Sequence, residues 1–186
     1  MQAGSRAPFI LADSSIPPGS RALVDIPFGK LYTHTELNIG AHVIHGRKDG
    51  PVLLITAALH GDEINGVEIC RRLLKLPRLS QLKGTLIVVP IVNTYGFVQQ
   101  SRYLPDRRDL NRSFPGSEKG SLGSRMAYQF TEQVLRTCTH AIDLHTGVGF
   151  GVRWKSPVGP VRVDIAHGLN NPDSQFQLYL NIGADL

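Results

Sequence analysis

The chain has 186 residues, enough for one domain with a hydrophobic core, and its 41% hydrophobic and 19% charged residues are typical of a soluble globular protein. No apolar run approaches the ~20 residues that a membrane-spanning helix needs, and the N-terminus lacks the apolar core of a signal peptide. The net charge is +5, but no run of five Lys or Arg residues occurs, so the sequence argues against nucleic-acid and membrane partners.

The N-terminal quarter of the chain differs in pattern from the middle. Residues 1–20 are rich in Ser, Pro and Gly, which predicts a loose arm. Residues 21–45 alternate between apolar and polar and are broken by glycines, which predicts two or three short strands. We expect these strands to open an α/β domain over residues 21–149. Residues 150–186 have no clear periodicity and are expected to form an atypical tail.

The middle of the chain alternates between strand and helix patterns. Apolar runs at residues 51–58, 84–89 and 141–144 predict buried strands, and the 3.6-residue periodicity at 64–76 and 122–134 predicts amphipathic helices. This order indicates an α/β fold with a mostly parallel or mixed sheet flanked by helices. In such sheets ligands bind beyond the carboxyl ends of the strands, so functional side chains are expected there.

Two of these strand ends carry candidate metal ligands. His60-Gly-Asp-Glu63 follows the first buried strand, where Gly61 permits a tight turn, and His145 follows the third. Two histidines and one glutamate leave the fourth position of a tetrahedral Zn²⁺ open, which is typical of catalytic zinc. Asp143 lies two residues before His145, so it either orients an imidazole or pairs with an arginine. The other histidines are expected to be packed or exposed residues without ligand roles: His34, His42, His45, His140 and His167.

A long charged loop, residues 101–116, is the second informative segment. Its sequence, SRYLPDRRDLNRSFPG, contains four arginines. Most charged loops are simply solvated, and that interpretation suits Asp106 and Arg107. However, arginine can bind a carboxylate through two parallel hydrogen bonds, and a cation beside a scissile carbonyl stabilises the developing oxyanion.

Three motifs in a fixed order, HGDE, DLNRSFPG and DLHTG, resemble the succinylglutamate desuccinylase/aspartoacylase family. Residues 89–97, VPIVNTYGF, also resemble a Pro-x-x-Asn-Pro-x-Gly-Phe motif of the wider superfamily, with Thr94 in place of proline. The resemblance covers roughly residues 20–148. It implies a carboxypeptidase A-like zinc hydrolase fold and a zinc-dependent deacylase.

The resemblance also implies a role for particular residues. One Zn²⁺ would be held by His60, Glu63 and His145, and metal-activated water would cleave an amide or ester bond of a small anionic N-acyl amino acid. Asn111 and Arg112 would bind the carboxylate of the substrate. One arginine would polarise the scissile carbonyl, and Arg102 is the better match for it than Arg108.

The chain departs from the family in the source of its general base. The family uses a glutamate well downstream of the third metal ligand, whereas all five glutamates here precede His145: Glu36, Glu63, Glu68, Glu118 and Glu132. Three aspartates that follow it match no family motif: Asp164, Asp173 and Asp185. We therefore expect a fold that is incomplete at its C-terminus, either because the product is truncated or frame-shifted or because it is a divergent short form. An incomplete sheet edge would favour oligomers.

Three further interpretations remain open at this stage. A zinc carboxypeptidase shares the ligands and the fold, and a catalytically inactive metal-binding fragment would explain the absent glutamate. Nucleic-acid binding through the basic surface is the least supported. Because Cys70 and Cys138 both fall in helical patterns, buried free thiols and a cytoplasmic location are expected.

Overall fold

The computed structural model describes residues 6–30, 34, 36–145, 148–156, 159–167 and 177–182. The strands are β1 (Phe9–Leu11), β2 (Ser14–Ile16), β3 (Ser20–Lys30), β4 (Glu36–His45), β5 (Lys48–Ala57), β6 (Lys83–Val89), β7 (His140–Leu144), β8 (Val148–Ser156), β9 (Gly159–His167) and β10 (Gln177–Ile182). The α-helices are α1 (Asn65–Leu73), α2 (Thr94–Gln99) and α3 (Leu122–Gln133), and short 3-10 helices cover Pro77–Gln81, Leu110–Arg112 and Leu135–Thr137.

An eight-stranded mixed sheet organises the described residues, with the strand order β10-β9-β8-β7-β5-β6-β4-β3. Strand β5 pairs in parallel with both β6 and β7, and the outer pairs on each side are antiparallel. The parallel pairs arise because helices connect β5 to β6 and β6 to β7, as parallel neighbours require. The predicted mixed α/β sheet flanked by helices is therefore confirmed.

Both faces of the central strands are buried. Along β6, Leu86 and Val88 pack in the cluster that contains residues of α1, whereas Ile87 and Val89 pack in the larger cluster that contains residues of α3. Alternate residues of a strand face opposite sides, so a strand with helices on both sides must be apolar throughout. This explains the continuous apolar runs from which the strands were predicted.

The prediction of a loose N-terminal arm is wrong for residues 9–16. Strands β1 and β2 pair in antiparallel fashion, and Leu11 and Ile16 are 0% and 1% exposed in the larger core cluster. The Arg6 guanidinium donates to the carbonyl oxygens of Gly46 and Gly84 at 2.8 and 2.9 Å, which fastens the start of this hairpin to the sheet. Two well-placed apolar side chains therefore outweigh a composition that favours turns.

Other predicted elements agree to within a few residues, and two details differ. The segment predicted as two or three short strands forms one long hairpin of β3 and β4, with a register shift between Pro27 and Gly29. Helix α2 was not predicted because it is only six residues long. In the predicted tail, β8, β9 and β10 extend the sheet by antiparallel pairing from β7. No helix in the described part of the chain is long and apolar enough to cross a membrane.

The two cysteines give a test of this packing. Cys70 and Cys138 are free and buried, and burial raises the pKa of each thiol to about 11. We therefore expect neither thiol to react with a thiol reagent at pH 8 in the folded chain and both to react in guanidinium chloride. The unfolded thiols ionise at about pH 8.5, whereas the buried thiols keep their protons up to about pH 11. The free energy of unfolding is therefore unaffected by these thiols below about pH 8.5 and falls as the pH rises towards 11. Rapid reaction of either thiol at pH 8 without denaturant would show that the core is not packed as described.

Candidate metal centre

The candidate centre lies where the parallel strands β5 and β7 end side by side. Ala57 at the end of β5 is paired with Leu144 at the end of β7, so the residues that follow these strands are brought together. His60 follows β5 in a turn in which the Glu63 N–H donates to the His60 carbonyl at 3.1 Å, and His145 directly follows β7. One ligand atom from each of these three residues lies within 4.8 Å of the other two.

Glycine at position 61 is required by the close approach of α2. A Cβ at Gly61 would lie 1.9 Å from the carbonyl carbon of Gly96 and 2.2 Å from the nitrogen of Phe97. Helix α2 is held there because the Val92 and Asn93 N–H groups donate to carbonyl oxygens at the end of β5. Any larger residue at position 61 would therefore displace the turn that carries His60 and Glu63.

The Glu63 carboxylate lies between the two imidazoles. It accepts the Nδ1–H of His60 on Oε1 at 2.9 Å and the Nδ1–H of His145 on Oε2 at 3.2 Å. The ring centroids of the two histidines are 6.1 Å apart. Both Nδ1 atoms and the carboxylate thus face one small volume.

The outer nitrogen of each imidazole is held by another carboxylate. His60 Nε2 lies 3.0 Å from Asp109 Oδ1, and His145 Nε2 lies 2.7 Å from Asp143 Oδ2. Of the two partners that the sequence leaves open for Asp143, the structure places an imidazole, that of His145, beside its carboxylate. Sequence analysis did not identify Asp109, which is 49 residues from His60 in the chain. Its only local signal is that it begins the DLNR motif and caps a 3-10 helix through the Asn111 N–H.

These contacts set the protonation of the cluster. Hydrogen bonds to Asp143 and then to Glu63 raise the pKa of His145 to about 10. Burial alone would lower the pKa of His60, but its hydrogen bonds to Glu63 and Asp109 raise it above the usual value. Burial alone would raise the pKa of Glu63, but the hydrogen bonds from His145 and His60 bring it far below the usual range. The pKa of Asp109 is lowered by His60 in the same way, against the effect of burial.

The donor set fits a divalent transition metal. Two imidazole nitrogens and one carboxylate are the ligands of many catalytic zinc sites, and the opposite nitrogen of a zinc-bound histidine usually donates to a carboxylate or carbonyl. Here His60 Nε2 is hydrogen-bonded to Asp109, and His145 Nε2 lies in ion-pair contact with Asp143. A metal ion can take the place of protons on the inner nitrogens, because metal binding to histidine releases protons.

Arg102 of the charged loop reaches two carboxylates of this cluster. Arg102 places Nη1 3.5 Å from Glu63 Oε1 and Nη2 3.6 Å from Asp109 Oδ2, and its side chain is 44% exposed. Asn93 caps α2 by accepting the Gly96 N–H, and its Nδ2 donates to the Arg102 carbonyl at 3.5 Å, so this motif residue supports the loop. The competing Arg108 is exposed, and within the described residues its side chain forms no ion pair with these carboxylates.

The predicted carboxylate clamp lies on the same loop. Arg112 is exposed, with Nε 3.9 Å from Asp109 Oδ2, and Asn111 precedes it in the 3-10 helix. The side-chain oxygen of Asn111 is buried and has no hydrogen-bond partner in the part of the chain that the structure describes.

The structure places two of the other glutamates on helix surfaces. Glu68 pairs with Arg71 and Arg72, and Glu132 pairs with Arg136. Of the aspartates that follow His145, Asp173 and Asp185 lie outside the described residues, as does the side chain of Asp164.

Comparison with known proteins supports the same assignment. The family model described as the succinylglutamate desuccinylase/aspartoacylase catalytic domain matches residues 49–149, more than half of the chain. This match spans all three candidate ligands and the charged loop. The chain belongs to the succinylglutamate desuccinylase/aspartoacylase family.

Individual relatives agree with the family. The chain is 36% identical over 102 residues to the N-alpha-acetyl-L-2,4-diaminobutyric acid deacetylase of Halomonas elongata, a match that covers 54% of this chain and 30% of that protein. The product-bound ectoine utilization protein EutE (DoeB) of Ruegeria pomeroyi is similar with 31% identity and a TM-score of 0.60, over 69% of this chain and 40% of that one. An aspartoacylase family protein of Mesorhizobium loti has 33% identity and a TM-score of 0.60, over 76% and 44%. The chain thus spans less than half the length of each.

The contact between His60 and Asp109 predicts a measurable effect on metal affinity. We expect Asp109→Asn to weaken Zn²⁺ binding by about tenfold, since removing an outer partner of a ligating histidine typically costs ~10–100-fold. Competition with a chromophoric chelator at pH 7 measures the dissociation constant. Asp106→Asn is the matched control, because Asp106 is an exposed carboxylate of the same loop that accepts the Arg108 N–H. Equal affinities for the two variants would contradict the role of Asp109.

Proposed function

We propose that the chain binds one zinc ion through His60, Glu63 and His145 and belongs to an enzyme that hydrolyses an amide bond of a small N-acyl amino acid. The observation that carries this proposal is the convergence of two imidazole Nδ1 atoms on the Glu63 carboxylate, with both outer nitrogens held by carboxylates. When bound there, zinc would supply Lewis acidity towards a carbonyl oxygen and lower the pKa of water.

The loop residues suit an anionic substrate. Arg102 reaches the cluster while its side chain stays 44% exposed, so its guanidinium can donate to the carbonyl oxygen of the scissile amide and stabilise the charge that develops on it. Asn111 and Arg112 would hold the substrate's carboxylate, since Arg112 is exposed at the mouth of the same cluster. Asp109 joins the two groups, because it contacts His60, Arg102 and the Asn111 N–H.

Metal binding and turnover are separate expectations for this chain. A positioned general base contributes typically ~10²–10⁴ in rate, and all five glutamates of these 186 residues precede His145. The second candidate function is a metal-binding form that does not hydrolyse the substrate. The deacetylase of Halomonas elongata, 36% identical to this chain over 102 residues, favours a deacylase over a carboxypeptidase.

The free, buried cysteines support a cytoplasmic location.

Hydrolysis assays of the zinc-loaded chain distinguish these candidates. We expect slow, zinc-dependent release of the acyl group from N-acetyl or N-succinyl amino acids and no cleavage of C-terminal dipeptides. Arg102→Lys should lower kcat by about 10²-fold, because a lysine cannot present the same fork to the carbonyl oxygen. Arg108→Lys should leave kcat within about twofold of the native value, as expected for an exposed loop residue that lacks an ion pair with the cluster.

Other results of these assays would indicate a different function for the chain or a different role for Arg102. Cleavage of peptides without acyl release would indicate a carboxypeptidase. Zinc binding without any hydrolysis would indicate the inactive metal-binding form. Equal loss of kcat in both arginine variants would contradict the role assigned to Arg102.

A further inference from the structure

A buried threonine stands behind the metal cluster. Thr56 on β5 is paired directly with Asp143 on β7, so the two side chains are neighbours on one face of the sheet. Thr56 is 8% exposed and Asp143 is 4% exposed. No local sequence pattern connects them, because they are 87 residues apart.

The hydroxyl of Thr56 forms a hydrogen bond with one oxygen of the Asp143 carboxylate, and the imidazole of His145 forms an ion-pair contact with the other. Thr56 Oγ1 donates to Asp143 Oδ1 at 2.6 Å, and His145 Nε2 lies 2.7 Å from Asp143 Oδ2. An aspartate carboxylate rotates easily about its last bond, so a short hydrogen bond to one oxygen fixes the direction of the other. The oxygen that faces His145 is therefore held by a residue of the neighbouring strand.

His145 depends on such support because it follows the last residue of β7 and is outside the strand ladder. Its Nδ1 must face Glu63 Oε2, which lies 3.2 Å away, for the three ligands to share one metal ion. Holding the proton on Nε2 keeps the lone pair of the neutral ring on Nδ1, the nitrogen that faces the cluster.

We propose that Thr56 is a positioning residue of the metal centre, whose hydroxyl orients Asp143 so that His145 presents Nδ1 to the metal. This inference rests on the proposed function, since it assumes that His145 binds zinc. The proposed chain of contacts has three steps: Thr56 orients Asp143, Asp143 orients His145, and His145 would bind the metal.

A purely structural role is the alternative, in which the hydroxyl only satisfies a buried carboxylate. Thr85 on β6 offers a matched buried threonine whose hydroxyl bonds an imidazole and an arginine away from the candidate ligands. It is 2% exposed, its Oγ1 lies 2.8 Å from Nδ1 of the buried His45, and it also accepts a bond from Arg6 at 3.3 Å. It belongs to the network that fastens the N-terminal segment, and none of its hydrogen-bond partners in the described residues is a candidate ligand.

The test compares three variants of the full chain: Thr56→Val, Thr56→Ser and Thr85→Val. Valine has nearly the shape of threonine but no hydroxyl, whereas serine keeps the hydroxyl and loses only a methyl group. For each variant, chelator competition at pH 7 gives the zinc dissociation constant, and urea unfolding of the metal-free chain gives the unfolding midpoint. We expect about tenfold weaker zinc binding for Thr56→Val, in the range seen for outer partners of metal ligands. Thr56→Ser and Thr85→Val should bind zinc within about twofold of the native chain.

Several results would overturn the inference while leaving the metal site intact. Native zinc affinity in Thr56→Val is one, and equal weakening in Thr56→Val and Thr85→Val is another, because both would assign the hydroxyl a structural role only. If Thr56→Val does not fold, Thr56→Ser decides the question, since weak zinc binding by a folded serine variant would show that packing and not the hydroxyl matters. Absence of zinc binding by the native chain would overturn the proposed function together with this inference.

Discussion

The site depends on a carboxylate, Glu63, that lies between two imidazoles whose far sides are held by two further carboxylates. When the three carboxylates are ionised and both imidazoles are protonated, the cluster carries three negative and two positive charges. Two neutral imidazoles and one divalent cation would give the same total. A divalent metal can therefore replace the inner two protons without changing the charge of a largely buried cluster, where an unbalanced charge is costly.

The sheet makes this arrangement possible. Strand β5 lies between two parallel partners, so its end meets the end of β7, and hydrogen bonds at that end also hold the start of α2. The contact of α2 with Gly61 then fixes the turn that carries His60 and Glu63. The buried central strands thus position the polar cluster, because a rigid sheet fixes side chains at its strand ends better than a loop would.

The sequence predicts which three residues converge at this cluster because their signal is local. His60 and Glu63 follow one apolar run and His145 follows another, and parallel strands bring such ends together. Contacts between residues that are far apart in the chain have no such local sequence pattern. By sequence alone Asp109 is an ordinary loop residue, and only the structure shows its contact with His60. Sequence spacing alone also cannot decide whether Arg102 or Arg108 reaches the cluster.

Short elements were missed for a related reason. Strands β1 and β2 have three residues each, too few for an alternating pattern to outweigh the surrounding Ser, Pro and Gly, although Leu11 and Ile16 are fully buried. Helix α2 has six residues, and its defining feature is the side chain of Asn93, which caps it. In both cases tertiary packing stabilises a segment whose own sequence specifies it weakly.

The central claim is that one metal ion is held by the inner nitrogens of His60 and His145 together with Glu63. Anomalous diffraction at the zinc edge from crystals of the zinc-loaded chain tests it most directly, with His140→Ala as a control for His145→Ala because His140 is an exposed histidine at the other end of β7. We expect one strong peak about 2.0–2.2 Å from both Nδ1 atoms and from a Glu63 oxygen, kept in His140→Ala and lost in His145→Ala. A peak at the Nε2 atoms or elsewhere, or no peak at this cluster, would contradict the account.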